Sequence, residues 1–204
     1  MRRVAIIDYG MCNLDSIARA VEECGGRPLV TSDPKAARGC ERLIVPGVGA
    51  FTEAMRNLVR EGMDDALREA ARVQQLPVLG ICLGMQLLAS RGMEGGIADG
   101  LGLIDGVVKR LEPFDGNRIP HIGWNDVTPT REHPLFAHVR HGADFYFVHS
   151  YHLECTNAED ALATTPYCGS FTSAVARHNV IGVQFHPEKS QKVGFALLRN
   201  FLVL

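Results

Sequence analysis

Pro77-Val78-Leu79-Gly80-Ile81-Cys82-Leu83-Gly84-Met85-Gln86 is the stretch on which the reading of this chain turns. Its first half, Pro77–Ile81, is a short apolar run of the kind that forms a strand buried on both faces. Its second half opens Leu83–Ser90, which reads as a helix directly after that strand. Cys82 therefore stands in a G-x-C-x-G pattern at a strand-to-helix turn. A side chain at the apex of such a turn projects above the sheet, and the flanking glycines remove clashes with the strained backbone. The peptide N–H of Leu83 points into the same space and can stabilise an oxyanion. A helix start also favours thiolate over thiol. Taken alone, the pattern fits a buried cysteine in a packing turn equally well, so a base has to be found.

Outward from this turn, the N-terminal half alternates strand-like and helix-like segments. Val4–Asp8, Pro28–Thr31 and Arg42–Val45 read as strands; Leu14–Cys24, Phe51–Gly62 and Met63–Gln75 read as helices, with a break near Gly62. Short apolar strands separated by helices imply a parallel sheet covered on both faces. The C-terminal half changes character. Gly106–Leu111, Asn125–Thr128, Asp144–Val148, Leu162–Thr165, Ser173–Arg177 and Val180–Gln184 are short strand-like runs bounded by Gly, Pro and Asn, with some antiparallel pairing expected. A last helix spans about Lys192–Leu202. The expected architecture is a three-layer α/β fold of flavodoxin-like type, a mostly parallel central sheet with additional antiparallel strands, in one domain over residues 1–204.

Composition narrows the function classes. Hydrophobic residues make up 46% of the 204-residue chain and charged residues 22%, an ordinary globular balance. The formal net charge is −2 and no basic run exceeds two residues, which argues against nucleic-acid or membrane-surface binding. Val4–Ile7 is too short for a signal-peptide core, and no apolar stretch approaches the roughly 20 residues of a membrane span. A soluble cytoplasmic protein is expected. The six cysteines form no C-x-x-C pair, and a chain of this length needs no disulfide framework. Five of them read as small buried hydrophobes or tolerated thiols, with Cys82 the exception.

The base is found at His186. Val180–Phe185 is a strand-like run leading into His186-Pro187-Glu188, and Pro187 stiffens the backbone just beyond it. Sites in α/β sheets form where the C-terminal ends of strands gather, and both Cys82 and His186 lie at such ends. The imidazole would take the thiol proton, and Glu188 would orient the ring and stabilise its protonated form. His138/His141 and His149/His152 have H-x-x-H spacing but no grouping with carboxylate or cysteine, so they read as ordinary histidines and no metal is expected.

These residues resemble the class I, triad-type glutamine amidotransferases, over essentially the whole chain. The matching segments are Asp8–Met11 with Asn13-Leu14, Pro46–Phe51, Gly80–Gln86, Pro120–Asn125, Phe147–Tyr151 and Gly182–Ser190. G-x-C-x-G and H-P-E carry the superfamily. P-G-V-G, P-H-I-G-W-N and H-P-E-K-S are most similar to the glutaminase subunits of imidazole glycerol phosphate synthases.

The resemblance implies glutamine hydrolysis through a Cys82 thioester, with no cofactor, and ammonia passed to a (β/α)8-barrel cyclase subunit that makes imidazole glycerol phosphate and an aminoimidazole carboxamide ribotide. It implies that the backbone of Val48, once reoriented, joins Leu83 in the oxyanion hole. The neighbouring glycines at 47 and 49 would make that movement inexpensive. It further implies that Gly49, Gln86, Glu94, Ser150 and Tyr151 hold L-glutamine, and that Asn13, Ser16, Trp124 and Lys189 face the cyclase. Read without the resemblance, Trp124, between Gly123 and Asn125 in an expected loop, is a core residue needing a partner for its N–H. Cys12 and Thr52 stand where family members usually carry glycine.

Three other readings stay open at this level. The chain could serve a different synthase, or act alone as a γ-glutamyl hydrolase or cysteine peptidase. It could also be a non-catalytic flavodoxin-like binding module, although no G-x-G-x-x-G or Walker-type loop is present.

Overall fold

The computed structural model describes residues 2–204. Its first half runs β1 (Arg3–Ile7), α1 (Leu14–Glu23), β2 (Arg27–Thr31), α2 (Pro34–Arg38), β3 (Arg42–Val45), α3 (Phe51–Arg60), α4 (Met63–Arg72), β4 (Val78–Ile81) and α5 (Leu83–Leu87). Then follow β5 (Ala89–Gly92), β6 (Ala98–Asp99), β7 (Ile104–Arg110), β8 (His121–Pro129) and β9 (Ala143–His149). The chain closes with β10 (Tyr151–Cys155), β11 (Ala161–Thr165), β12 (Phe171–Arg177), β13 (Val180–Val183) and α6 (Gln191–Val203).

Among the described residues the central sheet has nine strands in the order β2-β1-β3-β4-β13-β12-β11-β8-β9. From β2 to β13 all neighbours are parallel; from β13 to β9 all are antiparallel. The antiparallel strands are thus a continuation of the same sheet. Both faces of the sheet are covered at β1, β3, β4 and β13, which is why these strands are mostly apolar. Along β1, Ala5 and Ile7 join one core cluster with residues of α3 and α4, while Val4 and Ile6 join the other with residues of α1 and α6. Helices on both faces of one sheet make the expected three layers.

A second, four-stranded sheet has the order β10-β7-β5-β6, and its Ala89, Ile104, Val108 and Leu153 share the cluster with α3 and α4.

Three expectations need correction. The helix expected over Leu83–Ser90 stops at Leu87, and Ala89 already pairs with Ile104 in the second sheet. Leu87, Leu88 and Ala89 are apolar enough for either state, and pairing with β7 decides. Tyr151–Cys155, not foreseen as a strand, forms β10, so the chain leaves the central sheet after His149 and enters the second at Tyr151. Trp124 lies inside β8, nine residues long, and is 48% exposed, neither in a loop nor in the core. Its alternating neighbours place it on the outward side of an antiparallel ribbon.

Candidate active site

The adjacency of β4 and β13 brings the expected nucleophile and base together. The two strands are parallel, with Gly80 opposite Gly182 and Ile81 opposite Val183. The chains leaving them therefore emerge side by side, and the Cys82 N–H donates to the Val183 carbonyl at 2.8 Å. Cys82 then turns sharply, at φ 54° and ψ −111°, a conformation that costs a non-glycine residue about 1–3 kcal/mol. The turn is so tight that a Cβ on Gly84 would drive into the Val45 carbonyl, and one on Gly80 into the Gly84 backbone. Strain of this kind persists only where the surrounding packing imposes it. Leu83 opens α5, where first-turn N–H groups have no intrahelical acceptor.

His186 and Glu188 follow β13 in a short turn. The His186 peptide N–H donates to the Tyr146 carbonyl at 2.9 Å, and its side-chain Nδ1 meets Glu188 Oε1 at 2.8 Å, both side chains almost wholly buried. Nε2 is buried and has no hydrogen-bond partner among the described residues. Burial pulls the imidazole pKa down, but the Cys82 thiol and the Glu188 carboxylate outweigh it and raise the pKa to about 10. A ring held protonated beside a thiol is suited to stabilising a thiolate.

Cys82 opens onto a cleft of about 210 Å³ lined by Val48, Gly49, Leu83, Gln86, Glu94, Val148, His149, Ser150 and Tyr151. Every residue expected to hold glutamine is on its wall. A cleft this small suits an amino acid better than a drug-sized ligand. Gln86 Nε2 donates to the Tyr151 carbonyl at 2.9 Å and to Gln184 Oε1 at 3.1 Å. With both amide hydrogens engaged, Gln86 has an acceptor oxygen left for a substrate ammonium. Glu94 Oε2 accepts the Phe51 N–H at 3.2 Å, and burial raises its carboxyl pKa against that bond.

Val48 stands in an orientation from which the expected reorientation would have to start. Its N–H donates to the Met11 carbonyl at 2.8 Å, so in this conformation it is unavailable to an oxyanion. The preceding Pro46 carbonyl is held by the Tyr9 hydroxyl at 2.6 Å and faces Cys12 Sγ at 3.4 Å. The loop is thus tethered at both residues, and the flexible Gly47 and Gly49 alone do not complete the hole. Cys12 adopts no positive φ, so its backbone has no need of the glycine usual in the family.

The four expected partner-facing residues also converge. Asn13 and Lys189 border one shallow depression with His186 and Glu188, and Ser16 lies one turn beyond Asn13 on α1. Lys189 Nζ sits 5.9 Å from the Tyr146 ring, which packs edge-on against Trp124 at 6.0 Å.

Sequence reading missed Gln184, which is fully buried and directs Nε2 to Cys82 Sγ at 3.7 Å. It also missed Tyr146 and His149. The signal for Gln184 was present: a polar residue ending an apolar strand, two places before His186.

The model of the family described as "Glutamine amidotransferase class-I" matches residues 5–204. The chain belongs to the class I glutamine amidotransferases. Among relatives of this amidotransferase, the imidazole glycerol phosphate synthase subunit HisH of Symbiobacterium thermophilum is 49% identical over 201 residues, 98% of this chain and 93% of that one. The HisH subunit of Bradyrhizobium diazoefficiens is 48% identical over 210 residues, 98% of this chain and 97% of that one. Solved structures share the amidotransferase fold at lower identity. A glutamine amidotransferase structure matches with TM-score 0.77 at 20% identity, covering 98% of this chain and 97% of that one. The structure of PurLQS from Thermotoga maritima matches with TM-score 0.76 at 19% identity, covering 100% and 99%.

Proposed function

We propose that this chain is the glutaminase subunit of an imidazole glycerol phosphate synthase, a single cytoplasmic domain that works as a heterodimer with a (β/α)8-barrel cyclase in histidine biosynthesis. One observation carries the catalytic part: Cys82 stands on a strained turn at the floor of an amino-acid-sized cleft, beside the buried His186–Glu188 pair. The likeness to HisH subunits over nearly the full chain supports the choice of partner.

L-Glutamine enters with its α-ammonium toward Gln86 Oε1 and its side-chain amide over Cys82. The thiolate attacks the amide carbon, and the oxygen takes the negative charge toward the Leu83 N–H. Protonated His186 gives its proton to the departing ammonia, leaving a γ-glutamyl thioester. Water then loses a proton to His186 as it attacks the thioester, and glutamate leaves with the thiol restored. Ammonia released into water becomes ammonium, which is not nucleophilic, so direct docking to a synthase fits the chemistry.

Glutamate release should be measured for the chain alone and mixed with a barrel cyclase and its acceptor substrate. Stimulation only in the mixture is expected, whereas full turnover by the isolated chain would favour a stand-alone γ-glutamyl hydrolase. Trp124→Ala should weaken binding to the cyclase by about 2 kcal/mol, roughly 30-fold, because large exposed aromatics anchor interfaces. Calorimetric titration of the two subunits reads this directly, and unchanged affinity would remove Trp124 from the interface.

The pH profile has a defined sign. Because the folded pKa of His186 is raised to about 10, its proton stabilises the fold fully below the unfolded value of about 6.5, and this contribution is lost as pH rises through about 10. The acid that protonates ammonia is lost over the same window. The kcat/KM profile should fall on that alkaline side, and Glu188→Gln should move the limb to lower pH. A limb that stays put in the variant would separate Glu188 from the imidazole.

A further inference from the structure

His121 and His149 face each other across β8 and β9, are 2% and 6% exposed, and take no part in the triad. They form the middle of a hydrogen-bond chain whose direction is forced by its end. The Tyr151 carbonyl cannot donate, so His149 Nδ1, at 2.9 Å, must carry the proton. A neutral imidazole has one N–H, so His149 Nε2 accepts from His121 Nδ1 at 3.0 Å. By the same rule His121 Nε2 accepts from Asn125 Nδ2 at 3.2 Å. The Asn125 amide is oriented independently, because its Oδ1 accepts the Asp126 N–H at 2.9 Å.

Burial keeps both rings neutral, lowering the pKa of His121 to about 4 and that of His149 to about 3. The His121 ring is also sandwiched between Tyr167 and Phe147, at centroid distances of 3.9 and 4.7 Å. Its position is therefore fixed by stacking as well as by hydrogen bonds.

The carbonyl at the end of this chain is the one that receives Gln86 Nε2 at 2.9 Å. We propose that His149, supported by His121 and Asn125, is a positioning residue for the glutamine cleft, holding the Tyr151 carbonyl so that Gln86 keeps its acceptor oxygen toward the substrate. The chain places no group on the reacting atoms; it sets the geometry of the wall that binds the amino-acid end of glutamine. This rests on the reading that Gln86 and Tyr151 line the glutamine site.

The test is steady-state glutamine hydrolysis by the complex with the cyclase. His149→Phe removes the donor to Tyr151 and should raise KM for glutamine about tenfold, the loss of one buried hydrogen bond of about 1.4 kcal/mol, with kcat within about threefold of the parent. His149→Asn carries an amide N–H near the position of Nδ1 and should keep KM within about 1.5-fold of the parent. Equal KM values for the Phe and Asn variants, or a fall in kcat at unchanged KM, would overturn the proposal. Gln86→Ala separates the two levels. If it leaves KM unchanged, the cleft reading itself fails; if it raises KM while His149→Phe does not, only the positioning role fails. Should His149→Phe not fold, Asn125→Ala at the partly exposed end decides: a KM raised about threefold supports the chain, and an unchanged KM refutes it.

Discussion

Cys82→Ala is expected to lower glutamine hydrolysis by the cyclase complex at least about 10⁴-fold, while leaving synthesis from added ammonium untouched. The size of the effect follows from the loss of covalent catalysis: without sulfur no thioester forms, and the remaining oxyanion donor and binding groups give only residual acceleration. The substitution is gentle on the fold. Cys82 is 6% exposed and packs within the core cluster beneath α1 and α6, but its backbone hydrogen bond to Val183 is made by the N–H and survives. Glutamate release and ammonium-dependent product formation together separate a lost nucleophile from a damaged cyclase, and calorimetric titration of the two subunits reads whether the complex still forms. Retained glutamate release would sink the triad assignment.

A second large effect should follow from Val48→Pro. The Val48 N–H is now engaged by the Met11 carbonyl at 2.8 Å, so the isolated chain has Leu83 as its remaining candidate donor. One missing oxyanion donor costs about 10² to 10³ in kcat. Partner binding should therefore raise kcat by about that factor in the parent protein, by releasing the Val48 peptide toward the cleft. Proline has no N–H to release. The variant should bind the cyclase, melt a few degrees below the parent because the bond to Met11, about 1 kcal/mol, is lost, and yet gain almost nothing from the partner. Val48 is 46% exposed, so the ring meets little packing. Undiminished stimulation of Val48→Pro would mean that the second donor lies elsewhere.

Much of this molecule was legible before any coordinates. The strands at Arg42–Val45 and Val78–Ile81 and the paired helices either side of Gly62 stood out because both faces of the parallel half-sheet are covered. Burial on two faces leaves unbroken apolar runs, the clearest pattern a sequence can carry. The region from Leu87 to Cys155 was harder. Ala89–Gly92 and Tyr151–Cys155 are strands through pairing with β7, a long-range contact that no local pattern announces. The same holds for Trp124, whose place on an exposed ribbon depends on the pairing of β8 with β9.

By itself, the sequence singled out the candidate nucleophile, its candidate base and the orienting carboxylate, because Cys82, His186 and Glu188 sit in short motifs whose local geometry is stiffened by neighbouring glycine and proline. It also determined the family, through segments spread over the chain. Only the tertiary structure decided that the Val48 N–H is turned to Met11 and that Gln184 reaches the sulfur. It alone linked the histidines at 121 and 149 into one directed chain ending on the cleft wall. The reason is physical: local motifs restrict backbone dihedrals within a few residues, whereas a hydrogen-bond partner is chosen by which distant strands the sheet brings within about 3 Å.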